Sequence, residues 1–407
     1  MKDSNEKDLN IKKLLEKNDV KTLVDLDILI GKIKKNFIEA TLNAEFDEHI
    51  GYNKHDQNSR EVSNNYRKGK TQKTISTSNG KVTINVPRDH NSTFEPKIVK
   101  KHQRNIQQIE DQILFLYSKG MSTRDIQETL YQMFYCDLDK DTISRITDRI
   151  LPEIVAWQQR PLDSIYPIVY VDGIRFKVRE ESLYVEKSVY IIIGINIDGY
   201  KEILGFWIAE SESARQWLNI FNELKSRGIQ DILLACCDNL KGISESFKAV
   251  FPDVNIQKCV IHQIRNCTRH VASTDLQNFV SDMKKIYKAN SYKEALVAFN
   301  NFAQKWESKY TYAIKSWKNN FNELTTFFDF PNEIRKIIYT TNTIENVNRN
   351  IRSITKTKGG FTNTNSLMKI IYLKLIDIEN KWKARTIGNW PLIINQLRIL
   401  FPNKIMI

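Results

Sequence analysis

The sequence predicts an α/β protein, a mixed sheet carrying a helical insertion, preceded by a mainly helical and basic region. Three observations predict it. From Tyr166 three β-rich runs follow one another, IVYVDGIRFKV, SVYIIIGINI and EILGFWIAE, separated by turn-like or charged segments. Helix and strand patterns then alternate through residue 261, as an α/β layer structure requires. Ahead of these runs, helical spacing dominates and positive charge is concentrated.

Taken in order, residues 20–50 carry Leu23, Leu26, Ile28, Ile30, Ile33, Phe37, Leu42 and Phe46 at helical spacing, with Gly51 as a stop. One or two amphipathic helices are expected within an N-terminal segment 1–53. Residues 54–105 form a basic module: between Lys54 and Arg104 stand twelve Lys and Arg against four Asp and Glu. Within it, YRKGKTQK (66–73) and KVTINVPR (81–88) flank turn residues, and Val82, Ile84 and Val86 alternate as in a hairpin. Arg67, Lys68 and Lys70 are its candidate DNA-binding residues. In 106–160, FLYSKGMSTRDIQETLYQMF and DLDKDTISRITDRI read as a helix, a turn at Gly120, a helix, and a further helix capped near Asp141. A DNA-reading helix-turn-helix and a plain helical bundle both fit that pattern.

The β-rich runs open a core segment, 161–262, with a helix over 211–227, an apolar strand Ile232–Cys237, a helix over 241–250 and a strand over 255–261. Residues 263–330 are helical throughout and read as an insertion, and 331–407 return to the core and end in helices. No apolar run approaches the roughly 20 residues that span a bilayer, and the N-terminus MKDSNEKDLNIKKLLEK is charged, so a cytoplasmic protein with no membrane partner is expected. Five cysteines, two of them adjacent at Cys236 and Cys237, suit reduced thiols better than a disulfide framework. The net charge of +13 favours an anionic partner, nucleic acid ahead of a membrane surface.

Two carboxylates stand where chemistry is expected. Asp172 follows the apolar run IVYV and Asp238 follows ILLACC, at strand ends where α/β sheets build ligand and metal sites. Asp172-Gly173 and Asp238-Asn239 are equally turn dipeptides, and Asn342 with Glu345 has the spacing of a helix capping box. Three such carboxylates suit phosphodiester chemistry with two divalent ions about 4 Å apart, and hard oxygen ligands favour Mg2+ or Mn2+ over zinc. Cys259 and His262 are spaced for zinc, but the pair Cys267 and His270 is the only repeat of that spacing, so structural zinc is not expected.

The segment DNLKGISESFKAVFPDVNIQKCVIH, Asp238 to His262, resembles the signature of Mutator-type bacterial insertion-sequence transposases. The matching positions are Asp238, Gly242, Phe251-Pro252, Gln257, Cys259 and His262. EATLNAEFDEHIGY, NYRKGK, VPRD, VDGIRFKVR, SESARQWLNIFNELKSRGIQD, IHQIRN and TTNTIENVNRNIRSITKTKGGF are similar to family blocks in the same order, which leads us to expect a complete chain. The resemblance implies an RNase H-like fold preceded by a DNA-binding region, with Asp172, Asp238 and Glu345 as catalytic residues and metal ligands. It also implies a basic residue seven positions after the Glu, here Arg352, which shares a helix face with Glu345. Arg349, Lys356 and Lys358 extend that face as DNA-binding candidates, and Cys259 and His262 are motif residues.

The implied function is a transposase that binds terminal inverted repeats and catalyses metal-dependent cleavage and strand transfer. Its partners would be double-stranded DNA, both transposon ends and target, and further copies of itself, at least as a dimer. An RNase H-like nuclease and a domesticated DNA-binding regulator are the alternatives. Asn239 departs from the family pattern, where many relatives carry Gly, but Asn tolerates the left-handed conformation almost as well, so activity is expected to be kept.

Overall fold

The computed structural model describes residues 20–52, 65–77, 80–99, 107–134, 138–210, 213–339, 342–356 and 359–405. They fall into two compact units that divide after Arg149.

In the first unit, helix α1 (Leu23–Ile50) is continuous; it opens on a capping box between Thr22 and Asp25 and ends at Gly51, φ 81°. Strands β1 (Arg67–Thr77) and β2 (Gly80–Asp89) pair antiparallel, with Thr77 opposite Gly80. Alternation turns Ile75, Val82 and Ile84 toward Ile38 and Leu42 of α1, so the hairpin buries its apolar face on the helix. Asp89 closes the far end. Burial opposes its charge, but donors from Asn65, Thr93 and Phe94 outweigh that and hold its carboxyl well below the usual range.

Arg67 has a structural role that its basic setting in the sequence did not suggest. Its guanidinium donates to Asp47 Oδ1 at 2.7 Å and to the Tyr52 carbonyl at 2.9 Å. It also lies over the rings of Phe46 and Tyr52, 5.2 and 5.5 Å from their centroids. These contacts fix the hairpin to α1. Lys68 and Lys70 are exposed.

Helices α2 (Gln107–Ser118), α3 (Thr123–Phe134) and α4 (Lys140–Asp148) pack on one another and bury Ile109, Ile113, Ile126, Leu130, Ile143 and Ile146. Gly120, φ 90°, makes the first turn. The cap of α4 is Asp139, two residues earlier than expected, which accepts from the backbone N–H groups of Asp141 and Thr142.

The second unit begins with helix α5 (Leu151–Gln159) and is built on a five-stranded sheet. Its strands are β3 (Ile165–Glu180), β4 (Leu183–Ile195), β5 (Lys201–Ala209), β6 (Asp231–Cys237) and β7 (Asn255–Lys258), in the order β5-β4-β3-β6-β7. β4 runs antiparallel to both its neighbours, β3 and β5; β6 and β7 run parallel to β3. Helices α6 (Ala214–Ser226) and α7 (Ile243–Val250) put Trp217, Phe221 and Phe247 into one core with Val169, Val171, Tyr190 and Ile192. With both faces covered, the strands are near-continuous apolar runs, which is why they were legible.

After β7 the described chain is helical: α8 (Val260–Thr268), α9 (Ser273–Tyr287), α10 (Tyr292–Trp306), α11 (Thr311–Thr325), a 3-10 turn at Thr326–Asp329, α12 (Asn332–Ile338), α13 (Asn342–Thr355), α14 (Thr364–Trp382) and α15 (Trp390–Leu400). Among the described residues no helix is long and apolar enough to cross a membrane. Tyr170 of β3 donates to the Ile337 carbonyl at 2.8 Å, which sets α12 against the sheet face opposite α6 and α7.

Both sheet edges are covered. On β5, the Gln158 amide donates to the Phe206 carbonyl at 2.6 Å and accepts from its N–H at 3.3 Å, as a neighbouring strand would. Glu379 accepts from Ile203 N–H and Arg160 donates to its carbonyl. On β7, Thr326 donates to the Ile256 carbonyl at 2.8 Å. Unpaired edge groups invite other strands, and these contacts occupy them.

Arg67→Ala is expected to destabilise the first unit by about 1–3 kcal/mol through the lost ion pair, hydrogen bond and ring contacts. Lys68→Ala should stay within about 0.5 kcal/mol of the parent. Urea unfolding followed by circular dichroism separates the two; equal midpoints would mean that the Arg67 contacts contribute nothing.

Candidate active site

The β3–β6 ladder ends at the pair Val171 and Cys237. The residue that follows each of these is an aspartate, Asp172 and Asp238, so parallel register alone sets the two side by side. Asp172 does not end its strand, as the sequence suggested. β3 continues to Glu180 while paired with β4, and Asp172 stands opposite Ile191. Alternation places it on the Tyr170 face, toward α12 and α13.

Asp172 is 3% exposed. One carboxylate oxygen accepts the Gly173 N–H at 2.8 Å, and the other accepts from the Asn348 side-chain amide. Burial, and then the neighbouring charge of Asp238, push its pKa up to about 8. Asp238 in turn pairs with His262 Nδ1. Burial works against a charged His262, but its contacts with Asp238 and Cys259 prevail and raise its pKa to about 10.

Two helices bring in the rest. β7 stops at Lys258, four residues into the expected strand, and Cys259 donates its backbone N–H to the Cys237 carbonyl at 2.8 Å. Helix α8 therefore starts beside the end of β6, with Cys259, His262 and Arg265 at three-residue steps on one face. Arg265 donates to Glu345 on α13 at 3.1 Å. Asn348, one turn beyond Glu345, reaches Asp172. The contacts thus link Asp238 to His262, Arg265 to Glu345, and Asn348 to Asp172, joining all three expected carboxylates. Glu345 lies in the first turn of α13, but its carboxylate is directed to Arg265.

Helix α13 buries Ile344, Val347 and Ile351 and exposes Arg349 and Arg352 on its other side; Lys356, just past its end, is exposed as well. Lys358 lies outside the described residues. Asn348 was missed by sequence reasoning. The available signal was a polar residue on the buried stripe of an amphipathic helix, 6% exposed, where only a specific partner makes burial tolerable.

Other signature positions prove to be scaffold. Gly242 has φ 81°, and a Cβ there would lie 2.6 Å from Ala214 Cβ. Gln257 donates to the Leu324 carbonyl at 3.0 Å and accepts from Phe327 N–H at 2.7 Å, tying the end of the helical segment to the sheet. Asn239 is not left-handed; its side-chain amide donates to Gln263. The four described cysteines are buried and none is in a disulfide. Cys267 faces Gln263 and the Ala313 carbonyl, and His270 lies edge-on to Tyr312, so that second pair does not join the site.

A divalent cation suits Asp172 and Asp238. Two carboxylates on adjacent strands, one of them buried, repel each other, and in the metal-free chain a proton on Asp172 and the His262 contact relieve the repulsion. A hard cation held by both oxygen donors would relieve it more fully.

The family described as "Transposase, Mutator family" matches residues 5–385. A probable transposase for an ISRM3-like insertion sequence element of Sinorhizobium fredii is 38% identical over 400 residues, covering 98% of each chain. The transposase for ISRM3 of Rhizobium meliloti is 37% identical over the same share of both chains. The transposase for IS256 in transposon Tn4001 of Staphylococcus aureus is 30% identical over 78% of this chain and 82% of its own. The protein is a transposase, an enzyme that cleaves DNA and transfers it. It belongs to the Mutator family.

The raised pKa of Asp172 has a sign that can be checked. The folded chain keeps a proton that the unfolded chain releases, so stability falls as pH rises from about 4 to about 8. In chelator, Asp172→Asn is expected to be more stable than the parent by about 1–3 kcal/mol at pH 8, with the gap narrowing toward pH 5. Thermal unfolding at the two pH values reads this; a gap independent of pH would rule out the buried charge as its source.

Proposed function

We propose that the second unit is an RNase H-like catalytic domain in which Asp172, Asp238 and Glu345 hold two Mg2+ or Mn2+ ions and cut and rejoin transposon DNA. The observation that carries this reading is the pairing of Asp172 with Asp238 one step beyond the β3–β6 ladder, with Glu345 delivered by α13. Three antiparallel strands continued by two parallel ones, with the carboxylates where the parallel ladder ends, support the fold assignment. The bound ions would supply positive charge to the attacking and leaving oxygens of the phosphodiester.

Water first attacks the phosphodiester at the transposon end, forming a new P–O bond as the 3′-oxygen leaves and takes up a proton. The freed 3′-hydroxyl then attacks a target phosphodiester, losing its proton as the target's 3′-oxygen departs. Asn348 holds the Asp172 carboxylate in one orientation throughout, and His262 does the same for Asp238. Arg265 neutralises Glu345 in the metal-free state.

The exposed Arg349, Arg352 and Lys356 offer a basic face one to three turns from Glu345 to the phosphates of an end, with Lys358 continuing it in sequence. Lys68 and Lys70 of the hairpin would grip a duplex, and α2 to α4 would act as a helix-turn-helix that reads the inverted repeats. Holding two ends together calls for at least a dimer, working on DNA in the cytoplasm.

On labelled DNA carrying the element's ends, Asp172→Asn, Asp238→Ala and Glu345→Ala should each reduce Mg2+-dependent cleavage by about a thousandfold or more while leaving DNA binding within a few-fold. Retained cleavage in any of them would remove that residue from the site, and cutting of branched substrates without end preference would favour a nuclease.

Lys70→Ala and Arg352→Ala should each weaken binding and make the slope of log K against log salt shallower by about 1. An unchanged slope would take that residue off the DNA.

A further inference from the structure

We infer that Asp238, Cys259 and His262 form a zinc-binding site, and that zinc bound there withdraws Asp238 from its partnership with Asp172. The carboxylate oxygen, thiol sulfur and imidazole nitrogen of these residues lie within 4.8 Å of one another. Around a tetrahedral zinc, with bonds of about 2.0–2.3 Å, ligand atoms stand roughly 3.3–3.7 Å apart, a spacing that small side-chain rotations reach from here.

The frame is stiff. Asp238 follows the last residue of β6, Cys259 is fixed by its backbone bond to Cys237, and His262 lies on the first turn of α8. Cys259 makes no side-chain cap to that helix. In the sequence, Cys267 and His270 were the only further pair at zinc spacing, and they lie away from the site; in the fold, the third ligand comes from the other side of the strand gap, as a carboxylate.

The donor set also decides which metal. Thiolate and imidazole are soft to borderline ligands that select zinc, whereas Mg2+ takes oxygens. Three protein ligands leave a fourth position for water, and the partly exposed side chains of Asp238 and His262 mark the side from which the ion enters. Zinc and the catalytic cation therefore compete for one carboxylate, so micromolar zinc should silence an enzyme supplied with millimolar Mg2+. The binding site stands on geometry alone; the inhibition rests on the catalytic role proposed for Asp238.

Two measurements on the purified full chain test this. The first is titration of Zn2+ against a chromophoric chelator, with Co2+ as a substitute whose thiolate charge-transfer band reports a sulfur ligand. One site is expected, weakened by about a hundredfold or more in Cys259→Ser and in His262→Gln and unchanged in Cys267→Ser. Circular dichroism confirms folding, and His262→Gln, at a half-buried position, carries the test if Cys259→Ser fails to fold. No site in the parent, or equal binding in the folded variants, overturns the proposal.

The second measurement is Mg2+-dependent cleavage against zinc concentration, each protein scaled to its own zinc-free rate. The half-inhibiting concentration should rise about tenfold or more in Cys259→Ser. Zinc bound at the site with no loss of cleavage overturns the inhibitory role. Absence of cleavage by the parent without zinc counts against the proposed function, and the binding titration still decides the site.

Discussion

Burying a carboxylate in the middle of a central strand costs free energy, and doing so beside a second carboxylate costs more. Asp172 sits in that position, and the surroundings of the site follow from making it tolerable. The Gly173 amide and Asn348 share its oxygens, which draws α13 onto the sheet. His262 answers Asp238, which draws in the start of α8. Arg265 and Glu345 then join the two helices to each other. A residual mismatch is left that a cation can settle, so folding stability is given up where chemistry is proposed to occur.

Much of this was legible because buried parallel strands leave continuous apolar runs, and a run such as ILLACC makes the following Asp conspicuous. Asp172 was harder to place. Asp-Gly reads locally as a turn, yet β4 keeps its hydrogen bonds past that point, and Gly173 is small because the Tyr190 ring lies 3.1 Å from where its Cβ would be. The structural role of Arg67 was hidden for a related reason. A cluster of basic residues does not reveal that one of them has Asp47, twenty positions earlier, as its partner. Asn348 was hidden in a polar stretch, because its burial depends on a strand 176 residues away in sequence.

The family signature mixes chemistry with carpentry. Asp238 is proposed to act, whereas Gly242 permits a close approach to α6 and Gln257 pins the returning helical segment. Cys259 and His262 stand between these classes, since His262 pairs with Asp238 and both are proposed as ligands of their own. A motif conspicuous by its spacing does not by itself say which of its members touch the reaction.

The side chains along β5 and β7 bear on how copies of this protein can meet. At Ile203, Phe206 and Ile256 the main chain is already engaged by Gln158, Arg160, Glu379 and Thr326. At those positions no neighbouring polypeptide can extend the sheet, neither a second copy nor a misfolded one emerging alongside during synthesis. A strand arriving at either edge would first have to displace Gln158, Arg160, Glu379 or Thr326, so the sheet is closed by its own side chains and not by further backbone.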